Sequence, residues 1–293
     1  MEKPIMRYAI IANPKAGRLS VDEKRVQLAA AAKILNADIF GLETSCAAEF
    51  SSLAVALSRQ YDVLVIAGGD GTFSDIINAI YPARLSLAYL PMGTGNAIRR
   101  TLAYRGQIAA IAQRLRNGRR HRYDLIRCNG KRMAFMASVG IDGTTVKLWS
   151  QYRRRGYSPL QAYGLASFQA IFRAYRPGRV HLSLDQTEFT VDRLLSLMVV
   201  KHPHFGFGMN VVPQARWDDG YLHTLCIPAG LPNIAATLAT AFTVGNRVGN
   251  YRTGARAVIR SEKPLVLQID GDLAGEGRIF SFDVVPGALF LYH

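Results

Sequence analysis

Acidic residues are nearly missing from the middle of this chain. Residues 81–180 hold 19 lysines and arginines against two acids, Asp124 and Asp142; residues 1–80 carry 8 basic and 9 acidic side chains and residues 181–293 carry 9 and 10. The formal net charge of +15 therefore sits in one segment of +17 flanked by −1 on either side. Such a block attracts polyanions: nucleic acid, an anionic membrane leaflet or phosphorylated substrates. A solvated basic face with no partner is the plain alternative. Cysteine is scarce as well. Cys46, Cys128 and Cys226 are odd in number, far apart and in no C-x-x-C pair, which fits reduced thiols in a cytosol better than a disulfide framework or a zinc site. No apolar run approaches the ~18–20 residues that span a bilayer; Leu194–Val200 is strand-sized. The start, MEKPIMRYAII, lacks the order of a signal peptide. With 49% hydrophobic residues in a chain of 293, disorder and low complexity are excluded and two domains are expected.

The first third alternates between strand and helix patterns. Tyr8–Ala12, Ala37–Leu42, Val63–Ala67 and Leu85–Leu90 read as strands. Val21–Leu35, with Ser20 or Asp22 as cap, Ala47–Arg59 and Phe73–Ile80 read as helices. Such alternation implies parallel pairing in an open α/β domain, here residues 1–122. After Arg122 short strand-like segments separated by Gly, Pro, Asn and Asp dominate, and only Leu160–Ala174 and Asn233–Phe242 look helical. Residues 123–285 are thus expected to form a second, β-rich antiparallel domain.

Three glycine-bearing turns follow successive strands, where open α/β sheets bind ligands. They are Asn13-Pro14-Lys15-Ala16-Gly17, Gly68-Gly69-Asp70-Gly71-Thr72 and Gly93-Thr94-Gly95-Asn96. Glycine lets backbone approach a ligand closely, and the helix start after each turn offers N–H groups and a positive dipole end to phosphate. Lys15 adds a point charge. Asp70 would oppose phosphate unless it holds Mg²⁺ or a ribose hydroxyl. No G-x-x-x-x-G-K-[ST] is present, and Gly93-Thr94-Gly95-Asn96-Ala97-Ile98 lacks the last glycine of a dinucleotide fingerprint, so P-loop and Rossmann enzymes are disfavoured.

These turns, followed by Tyr123-Asp124-Leu125, Val139-Gly140-Ile141-Asp142, Val212-Pro213-Gln214-Ala215, Asp218-Asp219-Gly220 and Ile269-Asp270-Gly271-Asp272, resemble the diacylglycerol kinase catalytic-domain family, its bacterial lipid kinases and sphingosine kinases above all. The resemblance implies an NAD-kinase-like α/β domain followed by a β-rich domain, with ATP between them and residues 286–293 returning to the first. It puts Gly68, Gly69, Asp70, Gly71, Thr72, Phe73, Ser74, Thr94 and Thr44 at the nucleotide, and Asp70 on Mg²⁺–ATP. It implies a structural Mg²⁺ on Asp219 and the carbonyls of Arg216 and Tyr221. The family's proton-accepting acid falls on Asp270-Gly271-Asp272. Phosphoryl transfer needs in-line positioning, neutralised phosphate charge and a carboxylate to take the hydroxyl proton; Asp272 is the first choice for that base and Asp270 the second.

The chain departs from the family at Ala97, where an Asp is usual, at Ser74-Asp75, at Asp272 in place of Glu and at Gly206-Phe207-Gly208 in place of a glycine triplet. His202-Pro203-His204 reads as a loop. Arginines interleaved with aromatics in segment 99–179, among them Arg153-Arg154-Arg155 with Trp149, Tyr152 and Tyr157, suit an anionic membrane surface. The expectation is a cytoplasmic ATP- and Mg²⁺-dependent lipid kinase, peripheral on the inner face of the membrane. Its partners would be a lipid substrate and that surface, and an exposed edge strand would permit a homodimer. The rivals are a non-catalytic lipid or nucleotide sensor, an NAD kinase and a nucleic-acid-binding protein; no recognition motif supports the last, and nucleic acid is not expected.

Overall fold

A computed structural model describes residues 6–82, 85–205 and 208–293. They form two compact units, divided between Asp124 and Leu125. Residues up to Asp124 make up the first, with His204, Phe205, Gly208 and the closing Gly287–His293; the second holds Leu125–Pro203 and Met209–Pro286.

In the first unit, β1 (Tyr8–Ala12), α1 (Val21–Leu35), β2 (Asp38–Phe40), α2 (Ala47–Ser58), β3 (Val63–Gly68), α3 (Asp70–Ile80), β4 (Ser86–Pro91), α4 (Ala97–Thr101) and α5 (Ile108–Arg116) follow in turn. The strands lie parallel in the order β2-β1-β3-β4, and Leu291 of the closing segment pairs in parallel with Leu87 of β4. Every residue of β1, β3 and β4 is buried, which is why their sequences are continuous apolar runs rather than alternating ones. Ser20 closes the N-terminus of α1 in a capping box with Glu23. The closing segment is tied down by backbone bonds exchanged between Arg119 and His293 and by Gly287 N–H donating to Asp124 Oδ1 at 2.9 Å.

The chain continues through β5 (Arg120–Cys128), β6 (Arg132–Ala134), β7 (Met136–Gly140), α6 (Ile141–Arg154), α7 (Pro159–Gln169, continued by a π-helical turn Ala170–Ala174), β8 (Val180–Leu184), β9 (Thr187–Val191), β10 (Leu194–Val200), β11 (His204–Phe205), β12 (Met209–Asn210), β13 (Leu222–Pro228), α8 (Leu231–Phe242), β14 (Asn250–Gly254), β15 (Arg256–Ile269) and β16 (Asp272–Tyr292); β11, the start of β5 as far as Asp124 and the end of β16 from Gly287 belong to the first unit, and the rest build the second. Its pairings are antiparallel, in the order β14-β13-β10-β7-β15-β16. The long β15 pairs β7 through Leu267–Ile269 and β8 through Ala257–Ser261, and its pairing with β16 shifts register between Arg260 and Leu265, between those two stretches. The unit is therefore β-rich, in line with the pattern after Arg122.

Helix α6 is the main departure from the expected elements. Its β-branched Thr144, Thr145 and Val146 and its Gly143 make a weak helix pattern, and packing overrides it. A β-carbon on Gly143 would lie 2.0 Å from the Val266 carbonyl oxygen, so only glycine lets α6 rest on β15. Leu148 of α6 joins Ala166 and Ala170 in a small core with Ile141, Trp149 and Tyr152.

Candidate functional site

Because β1, β3 and β4 are adjacent and parallel, their C-terminal ends bring the three glycine-bearing turns side by side in the first unit. Asn13 N–H donates to Ala67 carbonyl (3.0 Å), and Met92 and Gly93 N–H donate to Gly68 carbonyl (2.8 and 3.1 Å). Asn13 Nδ2 donates to Thr72 Oγ1 at 2.8 Å. The backbones touch: a β-carbon on Gly93 would meet Gly69 Cα, and one on Gly17 (φ +68°) would fall 2.2 Å from Met92 carbonyl oxygen. Gly71 differs, with open space where its β-carbon would be. It lies in the first turn of the eleven-residue α3 beside Asp70 and Thr72. A helix N-terminus with a clear approach and successive backbone N–H groups suits a phosphate group.

Asp70 faces inward from this turn. Its carboxylate accepts Ala97 N–H (2.9 Å) and Ile98 N–H (3.1 Å), so it caps α4 and ties the second turn to the third. Burial pushes its carboxyl pKa up, and the two amides pull it back. Ala97 is itself buried and takes part through its backbone. Asn96 adopts the left-handed conformation, accepts Gly93 N–H (3.1 Å) and the Tyr89 hydroxyl (3.0 Å) on Oδ1, and donates from Nδ2 to Gly93 carbonyl (2.7 Å). Thr94 is exposed at the tip of this turn. Lys15 Nζ donates to Ser45 carbonyl at 2.9 Å, and Thr44 Oγ1 to Gly41 carbonyl at 2.7 Å. Phe73 and Ser74 are buried, Phe73 edge-on to Tyr89 with ring centroids 5.4 Å apart, so both side chains are part of the core.

In the second unit Asp270 and Gly271, at φ +51° and +91°, are the two central residues of a tight hairpin whose flanks Ile269 and Asp272 pair. Asp270 Oδ1 accepts Phe135 N–H (3.0 Å) and Met136 N–H (2.9 Å) and fixes the start of β7. Asp272 is 54% exposed, and its carboxylate accepts from the Arg132 guanidinium at 3.1 Å.

Asp219, Arg216 and Tyr221 come together, around a residue that sequence reasoning passed over. Lys201 directly follows the wholly buried strand β10, and its side chain is 0% exposed. Its Nζ donates to Asp219 Oδ1 at 2.8 Å and to the Tyr221 carbonyl. Asp219 Oδ2 lies 3.1 Å from His223 Nε2, and the Arg216 carbonyl 3.2 Å from the same nitrogen. The available signal was a lysine continuing the seven-residue segment Leu194–Val200, apolar but for Ser196, a position that buries a charge. Among the described residues no cluster of three or more His, Cys, Asp or Glu side chains could hold a metal ion. Gly206 and Phe207 of the altered triplet lie outside the described residues; Gly208 (φ +88°) packs on the Arg100 guanidinium. Asp142, beside Ser138 and Ser196, was quoted only for its place in a motif; desolvation pushes its carboxyl up to about 6.

The diacylglycerol kinase catalytic domain family matches residues 7–128, and the YegS C-terminal NAD kinase beta sandwich-like domain family matches residues 136–293. A diacylglycerol kinase of Staphylococcus saprophyticus is 27% identical over 282 residues, 92% of this chain and 90% of that protein. The "Probable lipid kinase YegS-like" of Pseudomonas aeruginosa is 32% identical over 241 residues, 80% of this chain and 77% of its own length. A crystal structure of a diacylglycerol kinase from Bacillus anthracis superposes with a TM-score of 0.75 at 18% identity, covering 98% of this chain and 97% of that one; it bears on the fold alone.

Proposed function

The chain belongs to the diacylglycerol kinase catalytic-domain family, and from that premise we propose that it transfers the γ-phosphate of ATP to the hydroxyl of a diacylglycerol-like or sphingoid-like lipid. It is a phosphotransferase with an alcohol group as acceptor. The observation that carries the nucleotide half is the open approach at Gly71 on the α3 N-terminus, framed by turns whose backbones are locked together.

Mg²⁺ bound with ATP would neutralise phosphate charge. The N–H groups of Gly69 to Thr72 would hold the nucleotide phosphates, with Thr94 and Thr44 as further contacts. Asp70 has both oxygens on backbone amides, so its contribution is to hold Ala97 and Ile98, and with them the Gly93–Asn96 turn, in register. Preorganised backbone donors of this kind stabilise phosphoryl charge without reorganising during the reaction. Asp272 accepts the proton of the attacking hydroxyl, its orientation set by Arg132; Asp270, with Oδ1 on two amides, builds the turn that presents it.

The acceptor resides in a bilayer, and no helix among the described residues is long and apolar enough to cross one. A cytoplasmic enzyme peripheral on the inner face meets that requirement. Support comes from the outer face of α7 and its π-helical turn. Ala162, Ala166 and Ala170 are buried, while Leu160 (68% exposed), Phe168 (59%) and Phe172 (56%) face away from them. Residues 143–184 around this face contain no acid and seven lysines and arginines. Apolar residues beside cations satisfy both the acyl boundary and anionic headgroups. The same charge would repel a second copy docked through this face.

The test is transfer of labelled phosphate from Mg²⁺–ATP to a panel of lipids in mixed micelles, with Asp70→Asn and Asp272→Asn alongside. A lipid labelled by the wild type and lost in both variants is the expected result. ATP binding with no labelled lipid would favour the sensor reading.

A further inference from the structure

We infer that Lys201 is a built-in cation which occupies the place of a divalent ion in the second unit, so that this unit is held together without metal. A fully buried ammonium persists only where anionic or carbonyl oxygens surround it. Lys201 has both: Asp219 Oδ1 at 2.8 Å and the Tyr221 carbonyl. These are two of the three oxygens that the motif resemblance assigns to Mg²⁺. The third, the Arg216 carbonyl, lies 3.2 Å from His223 Nε2, which also approaches Asp219 Oδ2 at 3.1 Å.

A divalent ion does not fit among these groups. Magnesium sits about 2.0–2.1 Å from its oxygens and calcium about 2.3–2.6 Å. An ion at such distances from both Asp219 Oδ1 and the Tyr221 carbonyl would fall against Lys201 Nζ, which already bridges them. It would have to share a dry site with a like charge or expel a side chain that has no exposed surface. No step of the reaction is therefore routed through a metal on Asp219. The lysine does what a structural ion would do: it cross-links the end of β10 to the Asp218-Asp219-Gly220 turn that leads into β13. Being covalently attached, it is present at any metal concentration.

The experiment uses the full chain without nucleotide, so its outcome is separate from whether the kinase reading holds. Wild-type protein is stripped with a chelator, and its melting temperature is followed as MgCl₂ or CaCl₂ is added, with calorimetric titration of each salt in parallel. The melting temperature is expected to stay constant, with no saturable binding of either ion. In Lys201→Met the freed oxygens should take up an ion, and the same salts should raise its melting temperature by several degrees. In Lys201→Met/Asp219→Asn that response should vanish. A wild-type melting temperature that rises with Mg²⁺ or Ca²⁺, or a saturable binding heat abolished by Asp219→Asn, overturns the inference. That arm needs no variant. A metal-independent melting curve for folded Lys201→Met also overturns it, because oxygens vacated by the ammonium and still indifferent to metal were never a cation site.

Discussion

A β-carbon on Gly93 would lie 2.4 Å from Cα of Gly69, so the second and third strand-end turns approach with no room for a side chain between them. Gly71, two residues from Gly69, has nothing within 4 Å of the same construction. One glycine is required by the fold and the other leaves space for a ligand. Gly93→Ala should cost about 2 kcal/mol or more of stability by forcing backbone apart. Gly71→Ala should melt within about 1 kcal/mol of wild type yet lose about tenfold or more in ATP affinity. Thermal melting with nucleotide titration separates the two; equal stability losses would remove the distinction.

The two carboxylates of the Asp270–Asp272 turn should divide cleanly. Asp270→Ala strips the acceptor from Phe135 and Met136 N–H and should destabilise by about 1–3 kcal/mol. Asp272 is exposed and its ion pair contributes about 0–1 kcal/mol, so Asp272→Asn should leave melting unchanged. Its phosphoryl transfer should fall about 10²–10⁴-fold, the contribution of a positioned general base. Turnover retained in Asp272→Asn would move the base elsewhere.

The outer face of α7 gives a test of the membrane reading. Phe168→Glu/Phe172→Glu should weaken binding to phosphatidylglycerol-containing vesicles by about tenfold or more, since half-exposed rings are replaced by charges that the leaflet repels. Wild-type binding should fall as salt rises. The corresponding pair on α8, Leu238→Glu/Phe242→Glu, tests whether apolarity without charge suffices; vesicle flotation that depends on α8 and not on α7 would relocate the surface.

Asp142 predicts a pH dependence. Its carboxyl is raised from an ordinary value near 3.8 to about 6 because folding desolvates it more than Ser196 and Ser138 compensate. The folded state thus favours the protonated acid. Its contribution is fully present below about pH 4 and is lost as pH rises through 6, an effect of at most about 3 kcal/mol. Asp142→Asn should flatten stability between pH 4 and 7 and exceed wild type at pH 7 and above; unchanged profiles in denaturant melts would assign the slope to other groups.

Much of the first unit was legible because parallel, doubly covered strands are continuous apolar runs, and glycine-bearing turns mark their ends. The roles inside those turns were less so. Phe73 and Ser74 stand in the stretch that the family resemblance assigns to the nucleotide, and both side chains are buried in the core. Ala97 reads as a missing acid, but its backbone N–H is what Asp70 holds. Helix α6 was hidden by its β-branched residues and is stabilised by packing against β15.

By itself the sequence determined the alternation of strand and helix, the three turns, the change to antiparallel texture after Arg122 and the concentration of positive charge. Each is a local pattern with its own period or composition. Tertiary structure alone decided which partner each polar side chain found: Asp70 with an amide 27 residues on, Asp270 with amides about 135 residues back, Lys201 with a carboxylate 18 residues away. Such pairings carry no periodicity, because they are set by which chain segments the packed core brings within hydrogen-bond distance.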